Sequence, residues 1–455
     1  MNVTSQAKPS DRQNRIQRAL DPLRTFTRHE AAGGILLFLA TVTALIWVNS
    51  PWTASYDRVW QLPVSLRVGE WVLEKPLLLW INDGLMAMFF FVVGLEIKRE
   101  FLVGELAAPR QAILPIAGAI GGMIAPALLY LAFNHGTRAQ SGWGIPMATD
   151  IAFAIGIMAL LGKRVPWSLK IFLISLAIVD DLGAVLVIAL FYTSDISVGN
   201  LAVGLGFLVA LIVANLAGLR HPLVYSILGI GGLWLAFLLS GIHATVAGVL
   251  AAMTIPAHPR LSPSELVQQG EHFLEKIKRS DPEGDGVLGD QEKAKASHEV
   301  EISAALAQTP LQRLEHALQP WVSLGVMPLF ALANAGVLFQ VDPDTIFTET
   351  ASLGIMVGLL VGKPGGILLA LWLCVRTGLA KLPGDTTWRQ VFGISALAGV
   401  GFTMSLFIAN LAFREGELLE LTKISILSAS LLAGVAGWIL LASVDRAEVD
   451  KDNSR

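Results

Sequence analysis

An apolar run from Ser168 to Tyr192 carries two adjacent carboxylates, Asp180 and Asp181, near its middle. The run is long enough to cross a bilayer as an α-helix, and each acid then lies about 18 Å from either end. A carboxylate at that depth costs about 2.5–3.5 kcal/mol on insertion scales, and two neighbouring carboxylates also repel each other. Because helix packing does not call for them, the pair predicts a site for a proton or a cation. The alternative is a pair that is tolerated because it is buried and neutralised.

The composition is typical of a helical membrane protein. Hydrophobic residues make up 54% of the 455 residues and charged residues only 15%, against about 25% charged in soluble proteins. Several runs of about eighteen or more residues are nearly free of charge, as membrane-spanning helices require. The net charge of −3 gives no reason to expect a nucleic acid partner, and the single cysteine, Cys374, excludes an intramolecular disulfide. We expect no cofactor.

Hydropathy predicts an all-α integral membrane protein with about twelve transmembrane helices. The predicted spans are roughly 31–48, 77–97, 112–133, 144–161, 168–192, 198–217, 222–239, 242–256, 317–338, 352–375, 389–412 and 422–443. They divide the chain into a polar tail at 1–28, helices one to eight at 29–256, a polar insertion at 257–316, helices nine to twelve at 317–443 and a second tail at 444–455. No signal-peptide core follows the first tail, so we expect that tail to be retained.

Lysine and arginine positions predict the orientation in the membrane. With the N-terminus inside, every predicted inner loop carries Lys or Arg, whereas the outer loops at 193–197, 240–241 and 339–351 carry none. Short cytoplasmic loops are enriched in these residues. We therefore expect a multi-pass protein of the bacterial inner membrane, surrounded by lipid, with both termini in the cytoplasm.

The outer segment 49–76 differs from the other loops because it is rich in tryptophan. Its sequence PVSLRVGEWVLEK has two alternating halves that meet at Gly69-Glu70. This pattern predicts a β-hairpin over residues 63–75, with glycine first in the turn. The alternative is an irregular loop whose tryptophans anchor at the level of the lipid headgroups.

The polar insertion contains DPEGDGVLGDQE, residues 281–292, which partly follows the spacing of a calcium-binding loop. Its third position is Glu283 rather than Asp or Asn, and no second loop is present to pair with it. A solvated insertion is therefore the interpretation that we favour.

Two spans carry residues that interrupt helices. The span 144–161 is short and contains Pro146, and the span 389–412 carries the segment AGVGFTMS. Short or glycine-interrupted spans at matching places in two halves are typical of broken helices in transporters. They are the middle members of two triplets that start on opposite sides of the membrane, as inverted repeats require. The two triplets are 112–192 and 352–443.

Four ionisable side chains are expected deep in the bilayer, namely Asp150, Asp180, Asp181 and Lys363. Spread out and unpaired they would cost about 10–14 kcal/mol, so we expect them to cluster. Three acids and one lysine leave a net negative site, which suits a small hard cation bound by oxygen ligands. Adjacent carboxylates in a low dielectric do not both ionise easily. Such a site holds protons or a cation but not both, which is the mechanism of an exchanger.

Broken helices would add backbone carbonyl ligands to this site. They would also place helix ends there, some with a partial positive charge and some with a partial negative charge. We expect the charges of Asp150 and Lys363 to offset the partial charges of those helix ends. A plain helix N-cap is the alternative for Asp150, and extension of the side chain to the membrane interface is the alternative for Lys363.

A further set of titratable residues is predicted toward the inner side and could sense pH. An ordinary capping or interfacial role is the alternative for each one. The set consists of Asp83, Glu96, Arg99, Glu100, His243, Glu315 and His316.

Five segments resemble the signature sequences of NhaA-type bacterial sodium/proton antiporters, and the similarity extends from about residue 29 to 443. The segments are ATDIAFA (148–154), KIFLISLAIVDDLGA (170–184), SGIHAT (240–245), GKPGGI (362–367) and GVGFTMS (399–405). The resemblance implies a twelve-helix fold in which the interrupted fourth and eleventh helices cross near the midplane. It also implies pH activation through the Glu96–Glu100 and Glu315–His316 regions, and a homodimer joined through the outer hairpin.

The resemblance implies roles for the buried residues as well. Asp180 and Asp181 would be the carboxylates that bind Na⁺ and protons, with Thr149 nearby. Lys363 would pair with Asp180, and Asp150 would balance helix dipoles. The chain departs from the family pattern at Gln319, where a second histidine is expected, which implies a shifted or weakened pH response.

Other classes fit less well. An intramembrane aspartyl protease needs a GxGD segment, which the sequence lacks, and HEAAG and HEVEI lack the second histidine of a zinc protease. A channel would offer filter carbonyls or rings of charge rather than one buried cluster. We therefore hypothesise a transporter, not an enzyme, that exchanges Na⁺ or Li⁺ for H⁺ electrogenically under pH regulation. The alternative is another monovalent cation/proton exchanger.

Overall fold

The computed structural model describes residues 31–193, 196–259, 308–339, 343–384, 386–413 and 416–443, with isolated positions between 265 and 275. Both predicted tails and most of the polar insertion lie outside the described residues. The partial calcium-loop pattern at 281–292 does as well.

The described residues fold mainly into helices, with one small sheet after the second helix. In chain order the helices are α1 (Ala31–Val48), α2 (Thr53–Trp60), α3 (Leu77–Val103), α4 (Pro109–Asn134), α5 (Ile151–Leu161), α6 (Trp167–Phe191), α7 (Val198–Leu216), α8 (Pro222–Ser240), α9 (Ala244–Thr254), α10 (Pro310–Asn334), α11 (Pro343–Thr348), α12 (Thr350–Arg376), α13 (Trp388–Ala398), α14 (Phe402–Ala412) and α15 (Glu417–Ala442). A 3₁₀-helix, Gln140–Met147, precedes α5.

Within the described ranges, nine helical segments are long and apolar enough to cross a membrane, or up to eleven if each of two bent pairs is one span. The bent pairs are α1 with α2, at 119°, and α13 with α14, at 42°. Each of the twelve predicted spans overlaps one of these segments, one of these pairs or the shorter apolar helix α9. The prediction of a helical membrane fold is therefore confirmed.

The predicted β-hairpin is present. Strand β1 (Pro63–Val68) pairs with strand β2 (Trp71–Pro76) in antiparallel register, and Val68 lies opposite Trp71. Only two residues remain for the turn, and Gly69 adopts a φ of 63°. That conformation is readily accessible only to glycine, which explains why a glycine stands first in this turn.

One compact unit comprises residues up to 86, 105–193 and 321 onward, and it contains both interrupted helices. Its core includes Leu173 and Leu176 of α6, Leu371 of α12 and Leu397 of α13. Helices α4 and α12 approach so closely that a Cβ on Gly121 or on Gly366 would overlap the carbonyl of the other. Small residues allow such contact between helices in a membrane, where dispersion and backbone proximity replace the hydrophobic effect.

A second compact unit comprises residues 87–104 and 194–320. Its core is formed by large apolar side chains of the later part of α3 and of α7, α8 and α9. These residues include Leu95, Leu211, Leu233, Phe237 and Ile255. Lys98 of α3 donates to the carbonyls of Met253 and Ile255, at 2.7 and 2.5 Å, and so stabilises the C-terminal end of α9.

Candidate functional site

The first interrupted helix breaks at residues 148–150, which are extended between the 3₁₀-helix and α5. Pro146 lacks an N–H and disfavours helical backbone in the residue before it. Asp150 is the N-cap of α5, and its Oδ1 accepts from the Phe153 amide at 3.0 Å. The break therefore ends where a carboxylate restarts the helix.

The second interrupted helix breaks at residues 399–401, between α13 and α14. Helix α13 begins at a capping box in which Thr387 and Gln390 satisfy each other's backbone amides. The segment GVG then ends α13 and leaves carbonyls near its C-terminus without helical partners. Both breaks that the glycine and proline pattern predicts are thus present.

The two breaks contact each other directly. The amide of Asp150 donates to the carbonyl of Val400 at 2.7 Å, and the Thr149 hydroxyl donates to the carbonyl of Ala398 at 2.9 Å. The Ser405 hydroxyl of α14 donates to the carbonyl of Ile145 in the 3₁₀-helix at 2.8 Å. The extended segments therefore exchange the hydrogen bonds that each lost when its helix was interrupted.

Asp150 lies between the N-terminal ends of two half-helices. Its Oδ1 accepts from the first turn of α5, and its Oδ2 accepts from the amide of Thr403 in α14 at 3.1 Å and from the Thr403 hydroxyl. The N-terminal end of a helix carries a partial positive charge, so one carboxylate stabilises both ends. The carboxyl group is fully buried, which makes these donors its main source of solvation.

Lys363 and Asp180 form a buried ion pair at 2.7 Å, with side chains 0% and 1% exposed. The Lys363 ammonium also donates to the carbonyl of Met147, at the end of the 3₁₀-helix. A π-helical turn, Gly358–Gly362, immediately precedes Lys363 within α12. Pro364 lacks the N–H that a regular helix would need there, which accounts for the local widening.

The acidic pair on α6 is buried as the sequence predicts. Asp180 and Asp181 are 1% and 2% exposed, and consecutive residues point about 100° apart around a helix. Asp180 Oδ1 accepts no hydrogen bond from the described part of the chain. One oxygen of Asp180 is therefore bound to an ammonium, while the other has no donor among the described residues.

Of the four residues predicted to cluster, Lys363 and Asp180 are in direct contact, whereas Asp150 is bonded to Phe153 and Thr403. Lys363 bonds both to Asp180 and to the backbone three residues before Asp150, and Thr149 lies at the crossing of the breaks. The oxygens in this region come from carboxylates, a hydroxyl and the Met147 carbonyl, and hard cations such as Na⁺ bind oxygen ligands.

Part of the predicted pH-sensing set forms a cluster in the second unit. Arg99 pairs with Glu315 and, at 3.2 Å, with Glu100. Glu96 lies one turn earlier on α3, and His316 is exposed next to Glu315. His316 also lines a cavity of about 600 Å³ together with Arg220, His221 and Arg313.

The structure corrects the predicted position of Asp83, which was expected toward the inner side. Asp83 pairs with Lys75 of strand β2 at 3.0 Å, so it lies next to the outer hairpin. Because helix α3 begins directly after β2, its second turn, which carries Asp83, lies close to the hairpin. His243 precedes α9, where its Nδ1 lies 2.9 Å from the Thr245 hydroxyl.

Sequence reasoning missed several groups at the crossing. Thr403 and Ser405 stood only within a glycine-rich segment, although hydroxyls just after a helix break are a recognisable signal. The carbonyls of Met147, Ala398 and Val400 carry no side-chain signal, so only the fold reveals them.

Known proteins match this chain over most of its length. The family model described as Na+/H+ antiporter 1 matches residues 24–441. The Na(+)/H(+) antiporter NhaA of Oleidesulfovibrio alaskensis is 54% identical over 426 residues, which is 94% of each chain. The protein of the same name from Koribacter versatilis is 49% identical over 94% of this chain and 92% of its own. NhaA 2 of Syntrophotalea carbinolica is 49% identical over 94% and 98%.

The apolar helices and these bacterial relatives together establish a multi-pass bacterial membrane protein. The family suggested by the VDD and ATD segments is thereby confirmed. With a match that covers nine-tenths of its length, the chain belongs to the Na+/H+ antiporter 1 family.

Proposed function

We propose that the protein exchanges Na⁺ or Li⁺ for H⁺ across the bacterial inner membrane, with Asp180 and Asp181 as the ion-binding and proton-binding groups. The names of the relatives, which are Na(+)/H(+) antiporters, support this exchange. The observation that carries the proposal is the buried Asp180 carboxylate, which has one oxygen on the Lys363 ammonium and one without a donor in the described part of the chain.

Because the site is buried, it binds either protons or a cation, but not both at once. A cation that binds the carboxylates favours their ionised forms, whereas protons neutralise them and remove the charge that attracts the cation. Because Asp180 and Asp181 are adjacent and almost without solvent, releasing protons without a replacement cation is costly. Protons and a cation therefore bind alternately to the same carboxylate oxygens.

Lys363 takes part in the same competition. Its ammonium contacts Asp180 Oδ2 and the Met147 carbonyl, which are two oxygens that a dehydrated cation would use. A cation that binds both oxygens has to displace the ammonium, so Lys363 sets how tightly the cation is held. Asp150 and Thr149 keep the two breaks together around this exchange.

The stoichiometry follows if both acids lose a proton for each cation bound. Two positive charges then move inward for each one that moves outward, so the membrane potential drives sodium out of the cell. We further propose that both termini are cytoplasmic and that the Arg99, Glu100 and Glu315 cluster adjusts the exchange to pH.

We also propose a homodimer joined through the hairpin β1–β2. Several of its side chains, including Val64, Leu66 and Val72, are exposed, and a paired hairpin would cover them. Deletion of residues 64–73 should reduce the native mass in detergent to that of a monomer, while cross-linking that persists unchanged would refute the dimer.

The experiment that tests the exchange uses everted membrane vesicles that contain a pH-sensitive dye. Added Na⁺ or Li⁺ should collapse an imposed proton gradient, and a series of pH values gives the regulation. A response to K⁺ of equal size would favour the alternative, a general monovalent cation/proton exchanger. No response to any of the three cations would refute the proposal.

A further inference from the structure

Three asparagine side chains from three helices form one hydrogen-bonded cluster in the first unit. Asn82 of α3 and Asn334 of α10 donate to each other, at 3.2 and 2.9 Å. Asn410 of α14 donates to the same Asn334 oxygen at 2.9 Å. We refer to Asn82, Asn334 and Asn410 as the amide cluster.

The amide cluster is held in a defined orientation. Asn334 also donates to the Phe330 carbonyl, and Asn410 also donates to the Leu406 carbonyl, each one turn back on its own helix. Asn82 and Asn334 are buried, at 8% and 2% exposure. The rings of Phe330 and Phe407 lie 6.1 Å apart between the same two helices, α10 and α14.

The amide cluster joins helices on the two sides of a predicted boundary, which separates the second repeat from the helices outside both repeats. Asn410 belongs to the second predicted repeat, 352–443, whereas Asn82 and Asn334 lie outside both repeats. Asn410 is carried by α14, whose first turn contacts Asp150 through Thr403. A movement of α14 therefore affects the amide cluster and the crossing of the breaks together.

The cluster also lies on the hairpin side of the molecule. Asn82 is next to Asp83, which pairs with Lys75 of the hairpin. Amides carry no net charge, so their hydrogen bonds neither compete for the transported cation nor titrate with the protons. Hydrogen bonds between helices in membranes are of moderate strength, which allows them to break and form repeatedly.

We propose that the amide cluster is a latch that closes the hairpin side of the repeat boundary and opens once in each transport cycle. The proposal rests on the exchange function proposed above. Alternating access moves one group of helices against another, so bonds that cross this boundary cannot persist throughout the cycle. Asn410 and Asn334 form the bond that must open, whereas Asn82 and Asn334 stay together.

Two cysteine pairs on a Cys374→Ser background test the latch. Asn334→Cys with Asn410→Cys spans the boundary, and Asn82→Cys with Asn334→Cys does not and is the matched control. A short bifunctional methanethiosulfonate bridges each pair, and mass spectrometry measures the extent of bridging. Sodium-dependent proton exchange is then measured in vesicles before bridging, after bridging and after reduction.

Bridging the 334–410 pair should reduce exchange by about tenfold or more, with recovery on reduction, because the bond that must open is then covalent. The bridged 82–334 pair should keep exchange within about twofold of its unbridged form. Equal exchange by the two bridged pairs would overturn the latch. Exchange by the unbridged pairs shows that the proposed function holds, so the two failures are distinguishable.

A second readout applies if the 334–410 variant does not exchange even without the bridge. The rate of bridging should then change with sodium concentration for the 334–410 pair, because the two residues separate in part of the cycle. For the 82–334 pair the rate should stay constant. Constant rates for both pairs would overturn the proposal.

Discussion

Two charged clusters in the described chain differ mainly in their contact with solvent. In one unit, the Asp180 and Lys363 side chains are 1% and 0% exposed. In the other unit, Arg99 is 32% exposed and bridges Glu100 and Glu315, at 12% and 2%. A charge in the first cluster depends on its partner, since almost none of its surface is exposed to solvent. In the second cluster solvent reaches the Arg99 side chain, which weakens its ion pairs by screening. This difference matches the roles that we propose, ion binding for the first cluster and adjustment to pH for the second.

The largest effect should follow loss of a carboxylate in the buried cluster. Asp181→Asn and Asp180→Asn each remove a group that has to alternate between proton and cation, so we expect no measurable sodium-dependent exchange in vesicles. Asp57→Asn, at an exposed position on α2, is the control and should exchange normally. Normal exchange by Asp181→Asn would contradict the assignment.

Removal of the partner lysine should mainly lower stability. Lys363→Ala leaves Asp180 buried without its counter-charge, which costs about 3–5 kcal/mol in buried pairs. The unfolding temperature in detergent should fall, and the pH response of exchange should change. Adding Asp180→Asn to Lys363→Ala should restore much of the stability, because no unpaired charge then remains. An additive loss in the double variant would show that the pair does not interact as described.

A smaller effect should follow loss of one donor to Asp150. Thr403→Val removes the hydroxyl that Asp150 accepts from, and a hydrogen bond to a charged group contributes about 1.5–3 kcal/mol. We expect exchange to fall by about tenfold to a hundredfold, since each 1.4 kcal/mol corresponds to a factor of ten. Thr403→Ser should retain most of the exchange.

The matched control for Thr403 is Thr422→Val in α15. The Thr422 hydroxyl is also buried but has no hydrogen-bond partner among the described residues. The same substitution there should leave exchange and unfolding temperature unchanged. Equal losses at both positions would mean that the hydroxyl bonded to Asp150 has no special role.

The smallest effect should come from the cluster of Arg99, Glu100 and Glu315, whose arginine is partly exposed. Glu315→Gln weakens the pair with Arg99 and permanently resembles the protonated acid. Because a screened pair contributes about 1 kcal/mol or less, exchange at alkaline pH should fall by about fivefold at most. The dependence on pH should also become flatter. A complete loss of exchange would place Glu315 with the buried carboxylates and remove the contrast between the clusters.

Much of the fold was predictable because its signals are local. Long apolar runs fixed the helices, the alternating halves around Gly69 fixed the hairpin, and Pro146 and Gly399 with Gly401 marked the breaks. The acids and Lys363 were expected to cluster because burial of unpaired charges is costly. The pairing of Lys363 with Asp180 was implied by family resemblance and is present in the structure.

The parts that sequence reasoning missed depend on long-range geometry. The Met147 carbonyl has no residue-type signature, and its bond to Lys363 joins positions 216 residues apart. Asn82, Asn334 and Asn410 are ordinary polar residues in separate helices until the fold brings them together. The predicted position of Asp83, toward the inner side, is wrong because its partner, Lys75, belongs to the hairpin rather than to a helix.

The most direct test of the central claim measures protons released when sodium binds to the purified protein in detergent. If both acids are protonated beforehand, exclusive binding predicts that added Na⁺ releases close to two protons for each ion bound, as recorded with a pH dye in weak buffer. The variant that combines Asp180→Asn with Asp181→Asn should release none. Sodium binding by the unaltered protein without any release of protons would contradict the claim that the two ligands share the same carboxylates.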